Sequence, residues 1–131
     1  MIYAVIDINV LVSALITHNP ESATAKVVRL LLNDGFVPIY EADIIAEYNE
    51  VLHREKFQIL PDVADALISY IIENGIEASK VSFLEPMPDE DDRVFYEFSL
   101  SNEDSFLVTG NLKHYPTSPR IITPAQFLEV L

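Results

Sequence analysis

The sequence predicts an α/β fold: a central parallel sheet covered by helices on both faces. Three observations lead there. Short apolar runs rich in branched residues alternate with segments of helical period, the pattern of repeated strand–helix–strand units. Half of the 131 residues are hydrophobic, enough for a substantial core. No internal repeat, linker or low-complexity stretch divides the chain, so residues 1–131 read as a single domain.

The elements follow in order. Ile2 to Ile6 is a short apolar run that suits a buried strand, and Asp7 ends it. Val10 to Ile16 predicts a helix, stopped by the turn-forming His18-Asn19-Pro20. Ser22 is a good helix N-cap, followed at helical spacing by Val27, Val28, Leu31 and Leu32, with Gly35 where a C-cap is expected. Phe36 to Tyr40 predicts a second strand. Glu41 to Arg54 predicts a helix with Ile44, Ile45, Tyr48, Val51 and Leu52 on one stripe. Pro61 opens another, with Val63, Leu67, Ile68 and Ile71 inward and Gly75 closing it. Lys80 to Leu84 predicts a third strand, and Asp89 or Asp91 caps a helix reaching about Ser101. Ser105 to Thr109 predicts a fourth strand, Arg120 to Thr123 a short fifth, and Pro124 the first turn of a last helix.

Composition narrows the function classes. The net charge is −13, from 21 acidic and 8 basic residues, which argues against a passive nucleic-acid binder with a basic face. The acid serves either solubility or a cation site, and its positions must decide. Cysteine is absent, which excludes disulfides and thiolate metal sites. No apolar run approaches the roughly 18 residues of a membrane span, and the charged start of a signal peptide is missing. A cytoplasmic location is the default expectation.

The carboxylates fall at strand ends. Asp7 follows the first strand, and Glu47 lies about two turns into the helix after the second. Asp89, Asp91 and Asp92 follow the third, and Asn111 follows the fourth. In open α/β sheets the crevice beyond the carboxyl ends of the strands is the usual ligand site. Crowded carboxylates repel, and burial raises their pKa values. A hard divalent cation such as Mg²⁺ or Mn²⁺ relieves both effects. It can also acidify a bound water and neutralise a phosphodiester, so acid here is compatible with a polyanionic substrate. Arg54, Lys56, Arg93 and Lys113 lie near the acidic segments and can form a broken positive rim for an RNA backbone.

These segments resemble the PIN-domain family over essentially the whole chain. Val5-Ile6-Asp7-Ile8-Asn9-Val10-Leu11-Val12-Ser13-Ala14-Leu15 is similar to its first motif, aspartate-x-asparagine followed by apolar residues. Glu47-Tyr48-Asn49-Glu50-Val51-Leu52 resembles the second and Asp89-Glu90-Asp91-Asp92-Arg93-Val94-Phe95 the third. Leu107-Val108-Thr109-Gly110-Asn111-Leu112-Lys113-His114-Tyr115-Pro116 resembles the fourth. The arrangement is most similar to the prokaryotic toxin branch of toxin–antitoxin systems (VapC-like). The resemblance implies a three-layer α/β/α sandwich, Mg²⁺ or Mn²⁺ dependence, and endonucleolytic cleavage of RNA phosphodiesters. It implies that Asp7, Glu47 and Asp92 (or Asp91) hold metal, while Asn9, Thr109 and Asn111 orient ligands or waters. It further implies a cognate antitoxin that occludes the site, and a homodimer. Asn111 departs from the pattern, since many members carry an acid there. Asp104 is a poor substitute, because it stands before the fourth strand and would reach from its wrong end.

Plainer readings stand beside these. Asp7 can simply cap the following turn, and Asn9 can bond its own turn. Glu47 lies at the margin of the apolar stripe and Glu50 points away from it, which favours Glu47 for a site. The Asp89-to-Asp92 run can serve as a helix N-terminal cap. Thr109 can be an ordinary strand-end hydroxyl. His18, His53 and His114 suit surface or packing roles. Two rival functions remain: a non-catalytic module that binds RNA or protein, and a metal-dependent phosphatase for small phosphoesters.

Overall fold

The computed structural model describes residues 2–78, 85, 87, 93, 95–96 and 105–131. Its centre is a five-stranded, all-parallel sheet in the order β3-β2-β1-β4-β5. The strands are β1 (Tyr3–Ile6), β2 (Val37–Tyr40), β3 (Ile76–Glu77), β4 (Ser105–Val108) and β5 (Ile121–Ile122). The described α-helices are α1 (Ile8–Ile16), α2 (Ala23–Leu32), α3 (Ala42–Leu52), α4 (Pro61–Asn74) and α5 (Pro124–Val130). This is the α/β sandwich that the alternation of periods predicted.

Burial follows sheet position. In β1, Ala4, Val5 and Ile6 are all buried, as are Leu107 and Val108 in β4, the near-continuous apolar reading of strands covered on both faces. The two-residue edge strand β3 has both side chains exposed. α1 packs on α2 and α2 on α5, while α3 packs on α4 and α4 on β2. Phe36, Phe106 and Phe127 join the sheet to α5 through edge-on and tilted ring contacts.

Local chemistry sets the boundaries. Ser22 caps α2 through Ala25 N–H, and Thr123 and Gln126 form a reciprocal capping box at α5. Glu41 caps α3 by accepting from Asp43 N–H. Gly75 is required by close approach: a Cβ there would lie 2.5 Å from the Ile71 carbonyl oxygen and 2.6 Å from that of Pro38.

Several expectations need correction. The first helix begins at Ile8, because Asp7 serves directly as its N-cap residue. The left-handed residue ending α2 is Asp34 (φ 59°), not Gly35. There Gly35 N–H bonds the Leu30 carbonyl and Asp34 N–H that of Leu31, a Schellman closure. Tyr70 donates to the Asp34 carboxylate, adding a partner for the residue in that conformation. Leu32 and Val63 face outward, and Ala64 takes the inward place expected of Val63. α3 stops at Leu52, two residues before Arg54. β3 was not anticipated: its two residues are too few to give a period. The expected strand at Lys80–Leu84 lies outside the described residues. So does most of the expected helix to Ser101, of which Arg93, Phe95 and Tyr96 are helical.

Candidate metal centre

Asp7 stands where β1 turns into α1. Its backbone N–H still donates to Val108 O (2.9 Å), extending the β1–β4 ladder by one residue. Its carbonyl accepts from Val10 N–H, closing the first turn of α1. The carboxylate is fully buried and, although Asp7 is the N-cap residue of α1, its side chain makes no capping hydrogen bond to the helix.

The two carboxylate oxygens differ sharply. Oδ2 accepts from Thr109 Oγ1 (2.8 Å), Tyr115 Oη (2.8 Å) and Asn9 Nδ2 (3.2 Å). Oδ1 is also buried and has no hydrogen-bond partner among the described residues. Burial pushes the Asp7 pKa above its ordinary value. The Thr109 and Tyr115 hydroxyls, and the amide dipoles of Asn9 and Ile8 at the head of α1, pull the other way.

The two hydroxyl donors come from the one loop that leaves β4. Thr109 is fully buried, and its oxygen also accepts Asn111 N–H (3.1 Å). The hydroxyl proton goes to Asp7. Asn9 joins the two strand ends: its Nδ2 donates to Asp7 while its Oδ1 accepts Gly110 N–H at 3.3 Å. Asn111 is half-buried and opens the short turn Leu112–His114, which delivers Tyr115 in extended conformation.

α3 is tied to the same place. Tyr48 is buried and its hydroxyl donates to the carbonyl of Ile6, the residue before Asp7. Burial and the Asp7 charge both raise the Tyr48 pKa. Glu47, one position earlier, is half-buried. Glu50 is exposed and bonded to Arg54 through both of its oxygens, at 2.8–3.2 Å. Phe95 packs against Tyr48 with ring centroids 6.1 Å apart and planes tilted by 32°.

Thus Asp7, Asn9, Thr109 and Asn111 form one connected set, and Glu47 stands beside the Tyr48 anchor. Asp89, Asp91, Asp92 and Asp104 lie outside the described residues. Among the described residues no three acidic or histidine side chains gather as a metal site. Of the basic residues proposed for a rim, Arg54 is engaged by Glu50, Lys56 lies over the Phe57 ring, and Lys113 is exposed. Arg93 donates to the Glu85 carbonyl. His18 is exposed, His53 bridges Asn49 O and Asp65, and His114 is half-buried in the short turn. Tyr115 and Tyr48 were not expected at the site. Nothing but their buried aromatic character beside the second and fourth motifs hinted at them.

The chemistry fits a hard cation. A buried carboxylate with one saturated oxygen and one bare oxygen leaves a negative lone pair uncompensated. An oxygen-seeking divalent ion compensates it without any thiolate or imidazole. No helix among the described residues is long and apolar enough to cross a membrane. Comparison with known proteins adds one result: the sequence model of the PIN domain matches residues 3–113. No curated protein and no solved structure matches the chain.

Proposed function

The chain belongs to the PIN-domain family, generally a nuclease fold, and on that premise we propose that it is an endoribonuclease dependent on Mg²⁺ or Mn²⁺. The observation that carries the reading is the bare, buried Oδ1 of Asp7 at the carboxyl end of β1. Asp7, Glu47 and Asp91 or Asp92 would hold the ion. When bound, it supplies Lewis acidity that activates water and offsets charge on the phosphodiester.

The protein's own residues do the positioning. Thr109, Tyr115 and Asn9 fix the plane of the Asp7 carboxylate. Tyr48 holds α3, and with it Glu47, against the end of β1. Asn111 offers an amide oxygen where many relatives place a charge, able to order water but adding no negative charge. Lys113, exposed on the following turn, is available to a phosphate of the RNA backbone.

RNA cleavage with Mn²⁺ by the pure protein tests the assignment, with Asp7→Asn as comparison. Equal activity in the two would sink it. Preference for a small phosphate ester over RNA would favour a phosphatase, and no heat of binding with millimolar Mn²⁺ would favour a non-catalytic module. We further propose that the chain is the toxin of a toxin–antitoxin pair in the cytoplasm, its partner placing a basic side chain among the carboxylates. Growth arrest on expression, lost in Asp7→Asn, is the expected behaviour. A homodimer is the proposed assembly, checked by sedimentation.

A further inference from the structure

Tyr115 reaches Asp7 from 108 positions away in the sequence and is itself buried. A phenol beside an ionised carboxylate has one role open to it, that of donor. Thr109 is donor to the same carboxylate oxygen, while its own oxygen accepts Asn111 N–H. With the Asn9 amide, three donors converge on Oδ2, while none among the described residues reaches Oδ1. Three bonds on one oxygen and none on the other do not simply stabilise a buried charge. The arrangement fixes one oxygen of the carboxylate and leaves the other uncommitted.

We propose that Tyr115 is a positioning residue that, with Thr109 and Asn9, occupies Oδ2 of Asp7 and leaves Oδ1 as the single oxygen Asp7 offers to a divalent cation. The inference rests on the metal-dependent reading of this site. It adds that Asp7 binds through one oxygen only, and that the hydroxyl of Tyr115 enforces it. Groups that orient a metal ligand from behind commonly control affinity by about 10–100-fold.

The experiment uses the full chain and Mn²⁺ alone, with two readouts. Calorimetry gives the Mn²⁺ dissociation constant. The Mn²⁺-induced infrared difference spectrum, referenced to Asp7→Asn, gives the separation of the asymmetric and symmetric carboxylate stretches. That separation is wide for one-oxygen binding and narrow for chelation through both. Wild type should bind Mn²⁺ with a wide separation. Tyr115→Phe should bind about 10–100-fold more weakly, with the separation narrowed as Oδ2 is released. Should Tyr115→Phe fail to fold, Thr109→Val removes a second donor from the same oxygen and should narrow the bands, whereas Thr109→Ser should restore them. Unchanged affinity and bands in these variants overturn the inference and leave the metal site standing. Weaker binding with unmoved bands marks a merely structural tyrosine and overturns it too. Absence of Mn²⁺ binding in wild type overturns the metal reading itself.

Discussion

The hydroxyl of Tyr48 donates to the carbonyl of Ile6, the last residue of β1, so α3 is fastened one residue short of the buried Asp7. Tyr48→Phe keeps the ring against Phe95 and removes only this bond. Losing a buried hydrogen bond costs about 1–2 kcal/mol, which chemical denaturation will show as a lower midpoint at unchanged slope. Because Glu47 is the preceding residue on α3, Mn²⁺-dependent RNA cleavage should fall as well.

Asp7 gives the apo protein a pH dependence of defined sign. Its folded pKa is raised by burial above the unfolded value, so its contribution favours folding below the unfolded pKa and is lost as pH rises through the folded one. Asp7→Asn removes the ionisation while the amide oxygen still accepts from Thr109 and Tyr115. In chelator, that variant should therefore gain stability relative to wild type as pH rises towards neutral. Added Mn²⁺ should raise the melting temperature of wild type and not of the variant. A stability difference between the two that does not change with pH would contradict the burial argument.

Restoring charge in the fourth motif should strengthen the site. Asn111→Asp keeps the backbone N–H that bonds Thr109 and adds a carboxylate two residues beyond that donor to Asp7. Mn²⁺ affinity and the cleavage rate should both increase, by about tenfold if the new group joins the ion's ligands. Calorimetry and single-turnover cleavage check this. A loss of both would show that the amide itself is required.

His53 has an acceptor at each ring nitrogen: the Asn49 carbonyl at 2.6 Å from Nδ1 and Asp65 Oδ1 at 2.9 Å from Nε2. Only the doubly protonated ring donates to both. The Asn49 carbonyl first, and Asp65 after it, raise the His53 pKa above the ordinary 6.5. The pair of bonds is therefore complete only while the ring is protonated, and is reduced to one as pH rises through the folded pKa. Proton NMR of the ring should show a raised pKa that Asp65→Asn lowers only in part, since the Asn49 carbonyl remains.

The fold was legible because its signals are local and periodic. The buried runs of β1 and β4, the stripe of α3, the cap at Ser22 and the opening Pro124 each state their structure within a few residues. β3 escaped because two exposed residues carry no pattern. The end of α2 was misplaced by one residue. Glycine is the usual left-handed residue, but here Asp34 takes that conformation and has Tyr70 as a partner. At the site, Asp7, Asn9 and Thr109 were legible from their strand ends, and they do form one bonded set. Tyr115 was not, because it stands beyond the strand end, after the short turn Leu112–His114, where strand position no longer indicates what a side chain meets. The placements of Asp91 and Asp92 are outside the described residues.

The order of the sheet also governs when the surroundings of Asp7 can be completed. β1 is made first, yet one of its two neighbours, β4, begins only at Ser105, and the donors to Asp7 follow at Thr109 and Tyr115. A ribosome that has synthesised most of the chain thus holds a first strand with one side open and an Asp7 without its two hydroxyl donors. Non-local pairings of this kind close late. Truncated products ending before β4 are therefore expected to lack the activity proposed for the Asp7 site, which is assembled only when synthesis is nearly finished.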